Sequence, residues 1–319
     1  MIKIRKDYII LGSVIGAIVV TAGVLSAIIL TQSEARFGYS LIDRIDYTYD
    51  SESETITTIN LNIFNAEGSI FISYEENLEN MFEAENRFFG KSSAIIEDAS
   101  NFTEIEIGDT VSISFDAPAI YNTSDDRSFY NNLHIKIRTD MTVKYNITTD
   151  TSDIYLIFDS VLTQTLIAQL NVFSNKGDVS IHFGDNTAVN STSLNTHILT
   201  GSLDINFDAV KLYSTIDMWN ITSSDGSIDL HIDQSRVINN YNASLNIETD
   251  TGKVSMRYKF NQETGLQVSA ITSTGDITSD VVIPGPFTPY QNDVFPADEN
   301  YIFSFKAGTG SIRIRELVF

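Results

Sequence analysis

Alternating apolar and polar residues around regularly spaced glycines dominate the second half of the chain. Around Gly252, apolar residues stand seven and five positions before the glycine and two and six positions after it, with polar residues between them. The same frame, with small or apolar residues, recurs around Gly275. Such alternation predicts two half-buried strands that meet at a tight turn, where glycine adopts a positive φ at little cost.

The frame recurs along most of the chain and predicts an all-β fold. From residue 152 the anchors step by 25, 24, 25, 26, 23 and 35 residues, with a serine at the first. A period of this size predicts a β-solenoid or β-helix-like stack of two-strand units, about 25 residues each. An antiparallel sandwich is the alternative, since it too has frequent glycine turns. The anchors are Gly68, Ser152, Gly177, Gly201, Gly226, Gly252, Gly275 and Gly310.

The turn sequences resemble those of a known family. Ser273–Ile277 and Gly310–Ile312 share a Thr-Gly-Asp/Ser-Ile type of turn, and Leu133–Val143 looks like a strand pair leading into the repeat. These segments are similar to the putative-adhesin domains of prokaryotic surface proteins, over residues 131–319. The resemblance implies a β-helix of short glycine-turn units, and the family has no catalytic residues to carry over.

The N-terminal segment has the composition of a membrane anchor. Residues 8–30 carry no charge, and 23 residues in a helix span about 34 Å, enough for a hydrocarbon core of about 30 Å. The basic tail 1–7 in front predicts a cytoplasmic N-terminus. A cleaved signal peptide and a pilin-type helix are the alternatives. Gly12 and Gly16 have the spacing of a helix-packing motif, although glycine is common in membrane helices.

The region between this segment and the repeat is less regular. Residues 31–40 are a predicted stalk, and residues 41–130 a membrane-proximal β-rich part, with a boundary near 130 before the repeat domain 131–319. Within it, apolar residues at three- and four-residue spacing predict one short amphipathic helix over 75–89. Residues 282–300 hold four of the five prolines and predict an inserted loop, either a binding loop or a cap on the stack.

Composition excludes several kinds of partner and chemistry. The formal net charge is −22 with scattered basic residues, which argues against nucleic acid as a partner. The chain has no cysteine and contains no nucleotide-binding, EF-hand, zinc-protease or nucleophile-elbow motif. The histidines His182 and His231 share an outward position with mixed neighbours, which is typical of a solvated face. We therefore expect a protein without enzymatic activity and without a cofactor.

Two aspartates are the chain's main candidates for a functional site. If the units stack in register, Asp204 and Asp229 are neighbours about 4.8 Å apart at the backbone. A pair of carboxylates could hold Ca²⁺, or act as the paired acids of a carbohydrate-active enzyme. The third reading, which we favour, is an acidic outer face that keeps the protein soluble.

The sequence therefore predicts a single-pass cell-membrane protein with its C-terminal domain outside the cell. Its partners would be the lipid bilayer through residues 8–30 and an extracellular protein or glycan, and a homo-oligomer is possible. We expect it to act in adhesion, envelope scaffolding or ligand display. The alternatives are a pilin-like subunit that assembles through its N-terminal helix, and a carbohydrate-active enzyme. Asn-x-Ser/Thr triplets suit a surface protein and begin at Asn101, Asn122, Asn146, Asn190, Asn220 and Asn242.

Overall fold

The described part of the chain is all-β, as the alternation predicts. The computed structural model describes residues 40–50, 55–90, 101–117, 130–159, 165–237, 239–281 and 289–317. Its strands form one mixed sheet system of parallel and antiparallel pairs. The strands are β1 Ser40–Tyr49, β2 Thr58–Glu75, β3 Phe82–Gly90, β4 Asn101–Ile107, β5 Thr110–Ala117, β6 Tyr130–Arg138, β7 Thr142–Phe158, β8 Thr165–Lys176, β9 Val179–Phe183, β10 Thr187–Val189, β11 Ser193–Thr200, β12 Leu203–Asp208, β13 Lys211–Leu212, β14 Ile216–Asp225, β15 Ile228–Gln234, β16 Ala243–Thr251, β17 Val254–Phe260, β18 Gly265–Thr274, β19 Ile277–Ser279, β20 Tyr290–Gln291, β21 Asn300–Thr309 and β22 Ile312–Glu316.

Some sequence predictions fall outside these ranges. The predicted anchor 8–30, with Gly12 and Gly16, lies outside the described residues. Within the residues that are described, no helix is long and apolar enough to cross a membrane.

Two long parallel ladders organise the fold, and each repeat unit supplies one strand to each. The strands before the turn residue pair in the spatial order β5, β2, β7, β8, β11, β14, β16, β21, β18. The strands after it pair in the order β6, β2, β7, β9, β12, β15, β17, β22, β19, because β2 and β7 run through both ladders. We call one strand position in each ladder, taken together, a rung.

The core lies on the inward side of both ladders. In β15, the alternate residues Ile228, Leu230 and Ile232 are all buried, while Asp229 is exposed. An aromatic row follows the sixth position after the turn, with ring centroids 5.2 Å apart for Phe158 and Phe183 and 5.5 Å apart for Phe183 and Phe207. Burial of each such side chain contributes about 1.5–3 kcal/mol, so the stack is stabilised by its interior.

The turn glycines are required by the neighbouring backbone as well as by φ. Gly252 has a φ of +138°, and a Cβ there would lie 2.1 Å from the carbonyl oxygen of Gly226. The φ of Gly226 lies outside the left-handed region, yet a Cβ there would lie 1.7 Å from the carbonyl oxygen of Gly201. Close rung-to-rung approach therefore explains glycine even where the turn does not need positive φ.

Chain order and spatial order differ at both ends of the stack. In the chain, β18 and β19 follow β17. In space, β21 and β22 lie between the β16–β17 rung and the β18–β19 rung. At the other end, β2 lies between the β5–β6 rung and β7. The strands before and after residue 130 thus belong to one sheet, and the repeat frame includes the Gly68 unit.

The predicted helix over 75–89 is wrong. Residues 82–90 form strand β3, which pairs antiparallel with β1 on one side and β6 on the other. Phe82, Ala84, Asn86 and Phe88 are buried at every second position, which is the period of a strand. Two adjacent phenylalanines, together with the buried Leu78 and Met81 of the preceding turn, produced the helix-like spacing in the sequence.

Candidate functional site

The outer face of the first ladder carries a row of asparagine side chains that the sequence reading missed. These residues stand six positions before six of the eight turn residues, and the strand register places them side by side. We call them the asparagine column. Its members are Asn62, Asn146, Asn171, Asn195, Asn220 and Asn246.

Side-chain hydrogen bonds join most of the column. Asn220 Nδ2 donates to Asn195 Oδ1 at 3.1 Å, Asn195 Nδ2 to Asn171 Oδ1 at 2.9 Å, and Asn171 Nδ2 to Asn146 Oδ1 at 2.9 Å. Asn146 Nδ2 donates in turn to Asn62 Oδ1 at 3.1 Å. Because each amide is held by its neighbour, the row is ordered before any ligand arrives. The signal in the sequence was asparagine at a constant offset from successive turn residues.

The two candidate aspartates lie on neighbouring parallel strands. Asp204 and Asp229 are opposite each other in the register of β12 and β15. Burial raises the pKa of Asp204, and the charge of Asp229 raises it further, while Arg257 and the histidines His231 and His182 act in the opposite direction. Among the described residues, no group of three or more histidine, aspartate or glutamate side chains is arranged to hold a metal ion. The pair therefore lacks a third protein ligand of these types for Ca²⁺, which takes six to eight oxygen ligands.

The histidines are distributed over separate parts of the surface. His182 and His231 flank Asn206 on the outer face of the second ladder. His197 stacks on Phe173 with ring centroids 5.2 Å apart, and its Nδ1 lies within hydrogen-bond distance of Thr222 Oγ1. His134 lies apart from these, at the first rung. The structure does not bring the histidines together.

A cleft at the N-terminal end of the stack is the second feature that the sequence reading missed. It has a volume of about 360 Å³ and lies over β1, β3 and β6. Arg44 Nε lies 3.0 Å from Glu85 Oε1, and Lys136 Nζ lies 2.8 Å from Glu75 Oε1. Burial lowers the pKa of His134, and the nearby Arg87 charge lowers it further. The lining residues are Arg44, Asp46, Tyr47, Thr48, Glu83, Ala84, Glu85, His134 and Lys136.

Ion pairs compensate part of the cleft's charge, because Arg44 pairs with Asp46 and Glu85, and Lys136 pairs with Glu75. The cleft escaped the sequence reading because its β3 residues had been assigned to a helix. On a helix, Glu83 and Glu85 would diverge. On a strand they share one face.

The two ends of the stack are finished differently. At the N-terminal end β4 pairs with β5 over residues 110–116, and β3 pairs with β6 over residues 130–137. At the C-terminal end, among the described strands, the outer side of β18 pairs only with β20, at Gln267 and Val268. The proline-rich insertion thus supplies a two-residue cover, while its residues 282–288 lie outside the described ranges.

No protein-family model matches the sequence, and no curated protein matches it. The comparison with solved structures finds matches of low identity and low TM-score. A putative cell adhesion protein from Clostridium sporogenes is 15% identical, with a TM-score of 0.39, over 86% of this chain and 99% of that chain. A putative adhesin from Bacteroides fragilis is 10% identical, with a TM-score of 0.30, over 85% and 96%. A putative lipid binding protein from Parabacteroides distasonis is 12% identical, with a TM-score of 0.34, over 86% and 96%.

Proposed function

We propose that the chain is a non-catalytic, membrane-anchored surface protein whose β-solenoid displays a binding surface for adhesion. The anchor is residues 8–30, predicted from their length and lack of charge. The displayed part is the stack of rungs, which continues without a break in pairing from β5 to β18. With the basic tail 1–7 in the cytoplasm, the C-terminal domain would lie outside the cell.

The asparagine column is the observation that carries the proposal. Neighbouring strands lie about 4.8 Å apart, so the column presents amide groups at a constant spacing on a rigid surface. The side chains are half-buried and hydrogen-bonded, which lowers the entropy lost when a ligand binds. A ligand that repeats hydroxyl groups along its length, such as an extended polysaccharide, could contact several rungs at once.

Glycan binding by the full chain, reconstituted in lipid nanodiscs, tests the proposal. The double variant Asn171→Ala and Asn195→Ala removes the middle of the column, and we expect its affinity for any bound polysaccharide to fall at least tenfold. The control is Asn175→Ala, which removes an exposed asparagine that bonds Asp150 and lies outside the column. The proposal requires that the wild-type chain bind a surface polysaccharide. Equal affinities of the column variant and the control for that polysaccharide would contradict it.

A further inference from the structure

The Asn-x-Ser/Thr triplets of the sequence differ in what the fold leaves accessible. The side chain of Asn101 and the residue Asn122 lie outside the described ranges. N-linked glycosylation of such a triplet adds a bulky sugar to the asparagine, which therefore has to stand at the surface. The transferase must also reach the hydroxyl group two residues later. The asparagines of the described triplets are Asn146, Asn190, Asn220 and Asn242.

Asn190 and Thr192 present both groups at a corner of the stack. They lie in the connection between β10 and β11, and both side chains are exposed. Neither side chain is hydrogen-bonded within the part of the chain that the structure describes. The backbone is attached to both neighbouring rungs, since Asn190 N donates to Ile167 O at 2.9 Å and Asp217 N donates to Thr192 O at 2.9 Å. A sugar on Asn190 Nδ2 would thus project into solvent without displacing a contact of the fold.

Asn146 and Asn220 are members of the asparagine column and lie inside strands β7 and β14. Both side chains are half-buried. Asn220 Nδ2 donates to Asn195 Oδ1 at 3.1 Å, and Asn146 Nδ2 donates to Asn62 Oδ1 at 3.1 Å. A sugar on either nitrogen would replace an amide hydrogen and would have to fit beside a strand about 4.8 Å away. The column therefore requires that both amides stay unmodified.

Asn242 is also engaged by the fold. It is half-buried, and its Oδ1 accepts from the backbone N of Asn300 at 2.8 Å and from Asn300 Nδ2 at 3.0 Å. These bonds join the segment before β16 to the start of β21 and fix the orientation of the Asn242 amide. Among the described triplets, Asn190 is therefore the asparagine whose amide is both exposed and without a hydrogen bond to another described residue.

We propose that Asn190 is an N-glycosylation site and that the other three described triplets stay unmodified in the folded chain. In the transfer, Asn190 Nδ2 forms a bond to C1 of the sugar of a lipid-linked pyrophosphate donor. The bond between C1 and the phosphate oxygen breaks, the lipid pyrophosphate leaves with the electron pair, and one amide proton passes to a base of the transferase. The inference rests on the proposed function, because the C-terminal domain meets such a transferase only if it lies outside the cytoplasm.

The full chain with a C-terminal epitope tag, produced in cells whose secretory pathway attaches N-linked glycans, tests the inference. Chains extracted from the membranes in detergent are treated with a peptide N-glycosidase, which converts a glycosylated asparagine to aspartate, and peptide mass spectrometry locates the conversion. An untreated sample corrects for spontaneous deamidation. We expect conversion at Asn190 to exceed that at Asn146, Asn220 or Asn242 by roughly tenfold or more.

Three variants separate the triplet from the asparagine alone. Thr192→Ala keeps Asn190 but removes the hydroxyl group, so we expect the glycan to be lost, and Thr192→Ser should restore it. The matched control is Thr200→Ala, which removes an exposed threonine that belongs to no triplet and should leave the glycan in place. Thermal melting of each variant shows that it is folded.

Antibody binding to the epitope on intact cells separates this inference from the proposed function. If the antibody reaches the epitope and Asn190 carries no glycan, the inference is overturned and the proposed orientation stands. If the epitope is reached only after the cells are permeabilised, the proposed orientation is wrong and the inference fails with it. Glycans on Asn146 or Asn220 in a chain that melts cooperatively also overturn the inference, as does a glycan retained in Thr192→Ala.

Discussion

The two ends of the stack differ in how the outer edges of their strands are covered. At the N-terminal end, antiparallel strands cover both ladders, and the ring of Tyr47 stacks on Phe102 with centroids 4.6 Å apart. The hydroxyl groups of Tyr47 and Tyr49 donate to Glu104 and Glu106, which ties β1 to β4. At the C-terminal end, the described residues pair with the outer side of β18 only at Gln267 and Val268, and Ile277 is 40% exposed. Among the described residues, the N-terminal end is therefore the more fully covered of the two.

The largest expected effect concerns the apolar side chains at the two ends. Phe115 is 1% exposed and its ring centroid lies 4.7 Å from that of Phe102, so Phe115→Ala leaves a cavity under the cap. We expect the free energy of unfolding to fall by about 3–5 kcal/mol. Ile277→Ala at the C-terminal end should cost about 0.5 kcal/mol. Urea denaturation of both variants measures the difference, and equal losses would remove the distinction between the ends.

The second prediction compares two glycine turns. Gly275, in the outermost C-terminal rung, has a φ of +137°, and a Cβ there would lie 2.0 Å from the carbonyl oxygen of Gly310. Gly108, in the β4–β5 turn, has a φ of +67° and nothing within 4 Å of an added Cβ. We expect Gly275→Ala to cost about 3 kcal/mol or more, from strain and overlap together, and Gly108→Ala about 1–2 kcal/mol.

Thermal or urea unfolding of these two variants sharpens the comparison. A larger loss for Gly275→Ala than for Gly108→Ala would show that the C-terminal rung is closely packed on its inner side. A smaller loss at Gly275 than at Gly108 would mean that the last rung is loosely attached.

The third prediction compares the two halves of the asparagine column. Asn146 accepts from Gln169 and Asn171 and donates to Asn60 and Asn62. Asn246 lies opposite Asn220, but the described hydrogen bonds of the column end at Asn220. Asn146→Ala should therefore lower the free energy of unfolding by about 1–3 kcal/mol, and Asn246→Ala by about 0.5 kcal/mol or less. Denaturation curves that rank the two variants in reverse would contradict this assignment.

The smallest expected effect is a pH dependence of opposite sign at the two ends. Burial, then Arg87, lowers the pKa of His134 below its ordinary 6.5, so the unfolded chain binds the proton more readily. The contribution of His134 is present above pH 6.5 and is lost as the pH falls through the lowered value. Near the other end, burial raises the pKa of Glu299, whose contribution declines as the pH rises from 4.5 toward the raised value.

Melting temperatures between pH 5 and 7 test the histidine contribution. His134→Gln should flatten the decline of stability on acidification through this range. The C-terminal rungs from residue 243 onward contain no histidine, whereas His134 lies in the first rung. If the wild-type and variant chains lose stability equally as the pH falls, His134 does not contribute.

Prediction from the sequence succeeded where a local pattern repeats and failed where it does not. The positive φ of Gly177, Gly201 and Gly252 follows from alternation around single residues. The β3 strand was mistaken for a helix because a short run with adjacent phenylalanines fits both periods. The cleft was missed with it, since its face exists only when β3 lies between β1 and β6.

The amino-acid sequence by itself determined which residues point inward and how far apart the rungs recur. These properties depend on the pleat of a strand and on the backbone freedom of glycine, which are local. Tertiary structure alone decided the spatial order of the rungs, in which β21 and β22 lie between β16–β17 and β18–β19. It also decided that β3 and β4 cover one end. Both depend on which strand edges remain unpaired when a later strand reaches them, and the backbone groups that pair at an edge are the same for every residue except proline.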